Sequence, residues 1–337
     1  MTDFKTIVFS AILTTIHFGC KSTAGENENE HAINLKQYEL VKDWPKLPEN
    51  FILGNPTGIG LDSQENIFVF HRAYRSWSLF HPIPGSVITT NTILMLSKED
   101  GSILNSWGAS VFIMPHGLTV DKQDNIWVTD VGLHQVFKFS HEGELLMQIG
   151  EASVAGNDSS HFNRPTDVAV ADDGSFYVSD GYRNSRIVKF SASGKYLFEW
   201  GKKGKDKGQF NIPHSIDIDK TGNVYVADRE NQRIQVFDAT GKFLKEIKAN
   251  NSGSIYALTI DRSNGQLYSA TYTTNYMIEK GSDIIIFDST GLRISQFGRS
   301  TAEQDPALRY HDIAIDKQGN IYTGDINENR ILKFRKK

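Results

Sequence analysis

A short motif recurs six times along this chain of 337 residues, and this repetition constrains the fold more than any other feature. In each copy apolar residues alternate with other residues, and five of the six copies end at an aspartate. The copies are TGIGLD at 57–62, HGLTVD at 116–121, TDVAVA at 166–171, HSIDID at 214–219, YALTID at 256–261 and HDIAID at 311–316. Regular internal repeats are typical of folds in which every copy forms one structural unit. Six copies therefore predict six units.

Each copy is followed by further strand-like segments. After a turn comes a second segment such as NIWVTD, then a third such as HQVFKF, and in most copies a fourth such as KYLFEWG. Alternation of period two, rich in Val, Ile, Tyr and Phe, predicts β-strands. Six antiparallel units of four strands predict an all-β fold, the six-bladed β-propeller. The last copy has only three such segments before Lys337, so we expect the segment at 38–44 (YELVKDW) to supply the missing strand and close the ring.

The N-terminal segment differs from the repeats. Lys5, an apolar stretch at 7–18, and Gly19 followed by Cys20 are typical of an export signal. We predict a signal peptide at 1–19 of the bacterial lipoprotein type with Cys20 lipidated, a polar linker at 20–35, and a catalytic propeller at 36–337. The protein is then expected to be exported, in the periplasm or on the cell surface, and anchored in the membrane through its lipid. Simple secretion and an uncleaved anchor remain alternatives.

The composition limits the classes of molecule that the protein is expected to bind. The formal net charge is −4 and no basic block runs through the repeats, so nucleic acid is not expected to bind. The one cysteine excludes an intrachain disulfide, so stability must come from packing. We expect a monomer that acts on a small molecule or a peptide.

Histidine alternates with other residues at the first position of the motif. The six residues at this position are Thr57, His116, Thr166, His214, Tyr256 and His311. Since blades are spaced by about 60°, every second blade directs an imidazole into the channel at about 120° to the next. Three imidazoles predict a metal site with open positions, and they suit Zn²⁺ best, although Fe²⁺, Co²⁺ and Mn²⁺ also accept such ligands. The alternative is that each histidine lines the channel and binds water.

Polar residues that follow the second strands are expected beside these histidines. They are Arg72 in blade 1, Tyr182 in blade 3 and Arg229 in blade 4. Arginine holds carboxylates in a bidentate fork, and a phenol near cations and a metal is expected to have a lowered pKa and to act as a base. Alternatively, the arginines pair with aspartates of neighbouring blades and Tyr182 caps a turn. The long segment at 73–91 is expected to form a lid over this face.

Asp312 indicates a second ion. It follows His311 on the inner strand, so its side chain is expected to point deeper into the channel, toward main-chain carbonyls. Ca²⁺ prefers such oxygen ligands. Asp167 occupies the same position in blade 3.

Longer segments of the chain resemble one enzyme family. MPHGLTVD, WVTDVGLHQVFKF, HFNRPTDVAV, QFNIPHSI and FHR at 70–72 are similar to peptidyl-α-hydroxyglycine α-amidating lyases, and DRENQRIQVF resembles NHL-type propeller repeats. The similarity extends from about residue 55 to the C-terminus. It implies a zinc-dependent carbon–nitrogen lyase that converts a peptidyl-α-hydroxyglycine, or another N-acyl-α-hydroxyglycine, to an amide and glyoxylate. A separate oxygenase is expected to make that substrate.

The resemblance also implies roles for individual residues. It implies zinc at His116, His214 and His311, catalysis by Arg72, Tyr182 and Arg229, and structural calcium at Asp312 and the main-chain carbonyls of Ile59 and Leu118. The chain departs from the family at Arg309, where a methionine is expected, and this bears on substrate specificity. Two other functions stay open: a metal-dependent propeller hydrolase of lactones or esters, and a non-catalytic NHL-type binding module.

Overall fold

The structure is a computed structural model that describes residues 37–77, 82–249, 252–273, 281–298 and 308–337. The predicted signal peptide at 1–19, Cys20 and the linker at 20–35 lie outside these ranges. Within them, no helix has the length and apolar character needed to cross a bilayer.

The described residues form six antiparallel sheets of four strands, as the repeats predict. The first strand, β1 (Tyr38–Leu40), belongs to the last sheet. Blade 1 contains β2 (Pro56–Leu61), β3 (Ile67–His71), β4 (Ile93–Leu96) and β5 (Ile103–Trp107). Blade 2 contains β6 (Pro115–Val120), β7 (Ile126–Asp130), β8 (Gln135–Phe139) and β9 (Leu145–Ile149). Blade 3 contains β10 (Asp167–Val170), β11 (Phe176–Asp180), β12 (Arg186–Phe190) and β13 (Tyr196–Trp200).

The other three blades follow the same order from the channel outward. Blade 4 contains β14 (Pro213–Ile218), β15 (Val224–Asp228), β16 (Arg233–Phe237) and β17 (Phe243–Lys248), with a single 3₁₀ turn at Arg229–Asn231. Blade 5 contains β18 (Ser254–Ile260), β19 (Leu267–Thr273), β20 (Gly281–Phe287) and β21 (Arg293–Gly298). Blade 6 contains β22 (Tyr310–Ile315), β23 (Ile321–Asp325), β24 (Arg330–Lys336) and, outermost, β1.

The ring is closed by β1. It pairs antiparallel with β24, so that Tyr38 lies opposite Lys336. The ring of Tyr38 also stacks on Phe297 of blade 5, with centroids 5.0 Å apart. The predicted N-terminal strand is confirmed but shorter than expected, because Asp43 adopts a left-handed conformation with a φ of 57° and Pro45, just beyond, has no N–H to donate.

The core lies between neighbouring blades, because both faces of each middle strand are covered. In β11 and in β7, every residue is buried. Trp127 of blade 2 packs against Phe176 of blade 3, with ring centroids 4.5 Å apart. Near the channel the inner strands approach too closely for a side chain at Gly58, where a Cβ would lie 2.6 Å from the main-chain nitrogen of Leu118. This packing fixes the inner strands, which carry the histidines.

Candidate active site

Each of the three histidines lies at an irregularity in strand pairing. In blade 4, Pro213 lies opposite Asp228 and Ser215 lies opposite the preceding residue, Ala227, so His214 is an extra residue on β14. Such a bulge turns a side chain away from the regular alternation of the strand. The pairing of the first two strands shifts register in the same way at His116 in blade 2 and at His311 in blade 6. The bulge, which the motif alignment does not reveal, directs the imidazoles into the channel.

The imidazoles form an almost equilateral triangle. Their ring centroids are separated by 4.8 Å (His116 to His214), 4.7 Å (His116 to His311) and 4.9 Å (His214 to His311). All three side chains are buried. One potential ligand nitrogen from each ring lies within 4.8 Å of those of the other two. The alternation of histidine along the sequence therefore brings the three side chains together at one point.

A main-chain carbonyl of the next blade orients each imidazole. Nδ1 of His116 lies 2.7 Å from the carbonyl oxygen of Thr166, and Nδ1 of His214 lies 2.6 Å from that of Tyr256. Nδ1 of His311 contacts the carbonyl oxygen of Thr57 at 2.9 Å. Because a carbonyl can only accept, each Nδ1 carries the proton and each Nε2 keeps its lone pair. This arrangement of the second nitrogen is typical of metal-binding histidines.

The surroundings keep the imidazoles neutral. Burial lowers the pKa of all three well below the ordinary histidine value, and the positive charges of Arg72 (at His116 and His311) and Arg229 (at His116 and His214) add to this effect. Neutral imidazole is the form that binds a metal ion. In charge state and in tautomer, the three side chains therefore fit a transition metal ion such as Zn²⁺.

Tyr182 completes this cluster from blade 3. Its hydroxyl lies 2.8 Å from Nε2 of His116 and 3.0 Å from Nε2 of His214, so it does not cap a turn. Burial raises the pKa of Tyr182, whereas the charges of Arg229 and Arg72 work in the opposite direction. The protein groups alone therefore do not produce the lowered pKa that the sequence led us to expect.

Both predicted arginines reach the same site. Arg72 directly follows β3, and its Nε donates to the carbonyl of Pro115 at 3.0 Å. Its Nη2 is buried and has no partner among the described residues. Arg229 begins the 3₁₀ turn, and its guanidinium carbon lies 5.4 Å from the ring centre of Tyr182. It pairs with its neighbour Glu230 at 2.8 Å, not with an aspartate of another blade. The unpartnered donor on Arg72 points to an anionic ligand that this group could bind.

Trp77 covers part of this face. Its ring lies edge-on to Tyr182, with centroids 4.7 Å apart, and the guanidinium carbon of Arg72 lies 5.4 Å from its ring centre. Trp77 belongs to the predicted lid segment at 73–91, of which residues 78–81 lie outside the described ranges. No motif in the sequence indicated a role for this tryptophan.

A second group of carboxylates lies farther along the channel. Asp312, Asp167, Ile59 and Leu118 line one cavity of about 540 Å³. A carboxylate oxygen of Asp312 accepts the N–H of Ile59 at 2.7 Å, so its contact to the neighbouring inner strand is with a main-chain amide. Burial raises the pKa of Asp312, and the nearby charge of Asp167 raises it further. A cation bound in this cavity would relieve the repulsion between the two buried carboxylates.

Arg309 extends over the same face as Arg72 and Arg229. Its guanidinium carbon lies 5.0 Å from the ring centre of Tyr256, and its Nη2 donates to the hydroxyl of that tyrosine at 2.5 Å. The contact between Arg309 and Tyr256 was not predicted from the sequence, although Arg309 departs from the family pattern. Tyr256 occupies the first motif position in blade 5, which is the position of the histidines in blades 2, 4 and 6. The sequence could therefore have predicted that its hydroxyl reaches this face.

Comparison with known proteins agrees with the repeats. A model of the NHL repeat matches residues 112–139, 162–190 and 210–237. A protein named peptidyl-glycine alpha-amidating monooxygenase B, from Xenopus laevis, is 37% identical over 92% of this chain but only 37% of its own length. The chain thus spans about a third of the length of the first curated relatives it matches.

A shorter relative decides the family. A probable peptidyl-alpha-hydroxyglycine alpha-amidating lyase from Caenorhabditis elegans is 33% identical over 84% of this chain and 83% of its own length. The chain belongs to the peptidyl-alpha-hydroxyglycine alpha-amidating lyase family. Among solved structures, a streptogramin B lyase superposes with a TM-score of 0.61 at 15% identity, covering 89% of this chain and 98% of that one. That likeness concerns the propeller fold alone, whereas the lyase family agrees with the resemblance seen in the sequence.

Proposed function

We propose that this protein is a zinc-dependent lyase that cleaves the C–N bond of N-acyl-α-hydroxyglycines, including peptides that end in α-hydroxyglycine. The products are an amide and glyoxylate. The observation that carries the proposal is the arrangement around Tyr182, whose hydroxyl lies within 3.0 Å of the free nitrogens of two imidazoles fixed by carbonyls.

His116, His214 and His311 would hold the metal ion through their Nε2 atoms. When bound, a Zn²⁺ ion would supply Lewis acidity toward the substrate hydroxyl. With three protein ligands, an open coordination position remains, as is typical of catalytic rather than structural zinc sites.

Arg72 and Arg229 would bind the substrate carboxylate. The Nη2 of Arg72 has no partner in the described residues, and its Nε bond to Pro115 holds the guanidinium in place. Burial works to lower the pKa of Arg229, but Tyr182, Tyr256 and Glu230 together raise it, so this group stays charged. Two fixed cations would orient the α-hydroxyglycine and stabilise negative charge as it develops on the product glyoxylate.

Tyr182 would move the proton. Its phenolate would accept the proton of the substrate hydroxyl while the C–O bond becomes the carbonyl of glyoxylate and the C–N electrons leave with nitrogen. The phenol would then donate the same proton to that nitrogen, which completes the amide. No water is consumed and no redox partner is needed, so the step balances as an elimination.

The decisive experiment combines product and metal analysis. Purified protein should convert α-hydroxyhippurate to benzamide and glyoxylate in equal amounts, above the rate without enzyme. Mass spectrometry should find about one zinc per chain, and removal of zinc with a chelator should stop turnover until zinc is restored. Lactone hydrolysis without glyoxylate release would instead support the hydrolase, and protein without bound metal or turnover would support the binding module.

We further propose that calcium binds in the channel at Asp312, with the main-chain carbonyls of Ile59 and Leu118. Support comes from the shared cavity and from the raised pKa of Asp312 beside Asp167. A buried carboxylate and carbonyl oxygens form the donor set that Ca²⁺ prefers. Its role would be structural, because it would join inner strands of different blades.

Export and lipidation at Cys20 are also part of the proposal, supported by the apolar stretch at 7–18 and the Gly19–Cys20 pair. Labelling of cells with a fatty-acid analogue should mark the native chain and not Cys20→Ala. A separate oxygenase in the same compartment would supply the hydroxyglycine, and a monomer should be seen by light scattering.

A further inference from the structure

Several arginines lie on the face of the propeller that carries the histidines. Arg72, Arg164, Arg229 and Arg309 all lie there. Within the described ranges, only Arg229 forms an ion pair, with the partly exposed Glu230. Arg72 and Arg229 would match the carboxylate of an α-hydroxyglycine, but Arg164 and Arg309 have no anion as partner among the residues that the structure describes. A partly buried guanidinium without an anion is costly unless a ligand supplies one.

Arg309 is held in place by four contacts. Its main-chain N–H donates to a carboxylate oxygen of Asp325 at 3.0 Å, which fixes the start of β22. Its guanidinium carbon lies 4.9 Å from the ring centre of Tyr272 and 5.0 Å from that of Tyr256. Its Nη2 donates to the hydroxyl of Tyr256. The two tyrosine rings and the hydrogen bond to Tyr256 restrict the motion of this guanidinium, which favours binding of a planar anion.

A donor of Arg309 is unused. Its Nε is buried and has no hydrogen-bond partner in the described part of the chain. The group as a whole is half-buried, so a ligand can reach it from solvent. Arg309 lies two residues before His311. Tyr256, whose hydroxyl orients Arg309, also accepts the Nδ1 proton of His214 through its main-chain carbonyl. The unused donor therefore belongs to the same channel mouth as the histidines.

We propose that Arg309, positioned by Tyr256, binds a second carboxylate of the substrate, so that the enzyme prefers N-acyl-α-hydroxyglycines with an acidic acyl group. A peptide with Asp or Glu before the hydroxyglycine has this chemistry, as does a short dicarboxylic acyl chain. This inference rests on the proposed lyase function and adds the substrate class. Arg229, whose guanidinium carbon lies 4.9 Å from the ring centre of the same Tyr256, serves the first carboxylate.

The test uses two substrates that differ only in charge. N-glutaryl-α-hydroxyglycine carries the second carboxylate, and its terminal amide is the neutral isostere. We expect kcat/KM for the acidic substrate to be at least about tenfold higher, as for one charge-assisted hydrogen bond. In Arg309→Met this ratio should fall to about one. Arg293→Met, which changes an arginine on the outer strand β21, should keep the ratio of the native protein.

A binding measurement tests the subsite without turnover. N-glutarylglycine lacks the hydroxyl and cannot be cleaved, and its affinity can be compared with that of its terminal amide by calorimetry. The acidic ligand should bind about tenfold more tightly, and the difference should disappear in Arg309→Met, or in Arg309→Gln if the methionine variant does not fold. Tyr256→Phe should reduce the difference, because the hydroxyl that orients Arg309 is lost.

Equal affinity of the two ligands for the native protein would overturn the proposal, and so would a charge preference that persists in the Arg309 variants. Failure of the lyase function is a separate result. It would appear as absence of glyoxylate from α-hydroxyhippurate, which carries no second carboxylate, whereas the calorimetric comparison would still decide whether Arg309 binds an acidic acyl group.

Discussion

The Nδ1 atom of His116 lies 2.7 Å from the main-chain carbonyl oxygen of Thr166, across the boundary between blades 2 and 3. Thr166 occupies in its own blade the position that His116 occupies in the blade before it. The same relationship joins His214 to Tyr256 and His311 to Thr57. The main-chain carbonyl that orients each histidine thus comes from a blade that lacks the histidine.

Gly117→Ala should weaken metal binding without touching a ligand. A Cβ at Gly117 would lie 2.5 Å from the carbonyl oxygen of Thr166, so this carbonyl would have to move away from His116. Loss of such an orienting bond typically reduces metal affinity by about 10-fold to 100-fold. Competition with a zinc-binding dye measures the change. Gly85→Ala, where a Cβ meets no atom within 4 Å, is the control and should bind zinc normally.

His214→Ala should abolish both bound zinc and glyoxylate formation. Two imidazoles alone leave the ion without the ligand set of a typical catalytic site, so the zinc content should fall from about one to below about 0.1 per chain. Plasma mass spectrometry of the purified variant measures it. His141→Ala removes a histidine that contacts Asp62, away from the cluster, and should leave the zinc content unchanged. Full zinc content in His214→Ala would contradict the assignment.

Tyr182→Phe should separate catalysis from metal binding. The phenylalanine cannot carry the proton from hydroxyl to nitrogen, so kcat should fall by at least about 100-fold. The three imidazoles remain, so zinc content should match that of the native protein. Tyr196→Phe on the outer strand β13 should keep full activity. A variant at Tyr182 with native kcat would remove this residue from the mechanism.

Calcium should stabilise the native protein, and Asp312→Asn should remove that effect. At a calcium concentration 100 times Kd, binding to the folded state alone contributes about 2.7 kcal/mol. Thermal melting with calcium and with a chelator measures the difference. Asp238→Asn is the control, because Asp238 also accepts a main-chain N–H, that of Thr240 at 2.9 Å, but lies in the turn between β16 and β17, outside the channel. We expect the control to retain the response, and a response retained in Asp312→Asn would move the ion elsewhere.

Tyr38→Ala should weaken the closure of the ring. Tyr38 is only 7% exposed and stacks on Phe297, so truncation leaves a cavity and should lower the free energy of unfolding by about 3 kcal/mol. Urea denaturation measures it. Leu40, on the same strand, is 40% exposed, and Leu40→Ala should cost less than about 0.5 kcal/mol. Equal effects of the two substitutions would show that Tyr38 packing does not hold the blade closed.

The repeats made much of this arrangement predictable. Because each motif copy has the same register, residues at the same motif position occupy equivalent places around the propeller axis. His116, His214 and His311 were therefore predicted to meet at one point. The antiparallel pairing of the first two strands likewise placed Arg72 and Tyr182 beside them. Both inferences require only the order of strands in a blade.

Other features could not be derived in this way. The bulge at His214 adds one residue to one strand, and an alignment of first strands is the same with or without it. The contact between Arg309 and Tyr256 joins a segment before one motif copy to the first position of another, so no repeat relates them. The expected lowering of the Tyr182 pKa was also wrong for the protein groups alone, because it considered only the nearby arginines. Burial raises this pKa, and burial depends on packing that the motif does not describe.

The sixth blade is assembled from both ends of the propeller, since β1 pairs with β24. Its hydrogen bonds therefore join residues almost the whole domain apart in sequence, and they can form only after the last strand has left the ribosome. Until then the nascent chain is an arc with two unpaired strand edges, which are prone to aggregation. Closing such distant contacts is slow, so joining of the ends is expected to be the late and rate-limiting event of folding.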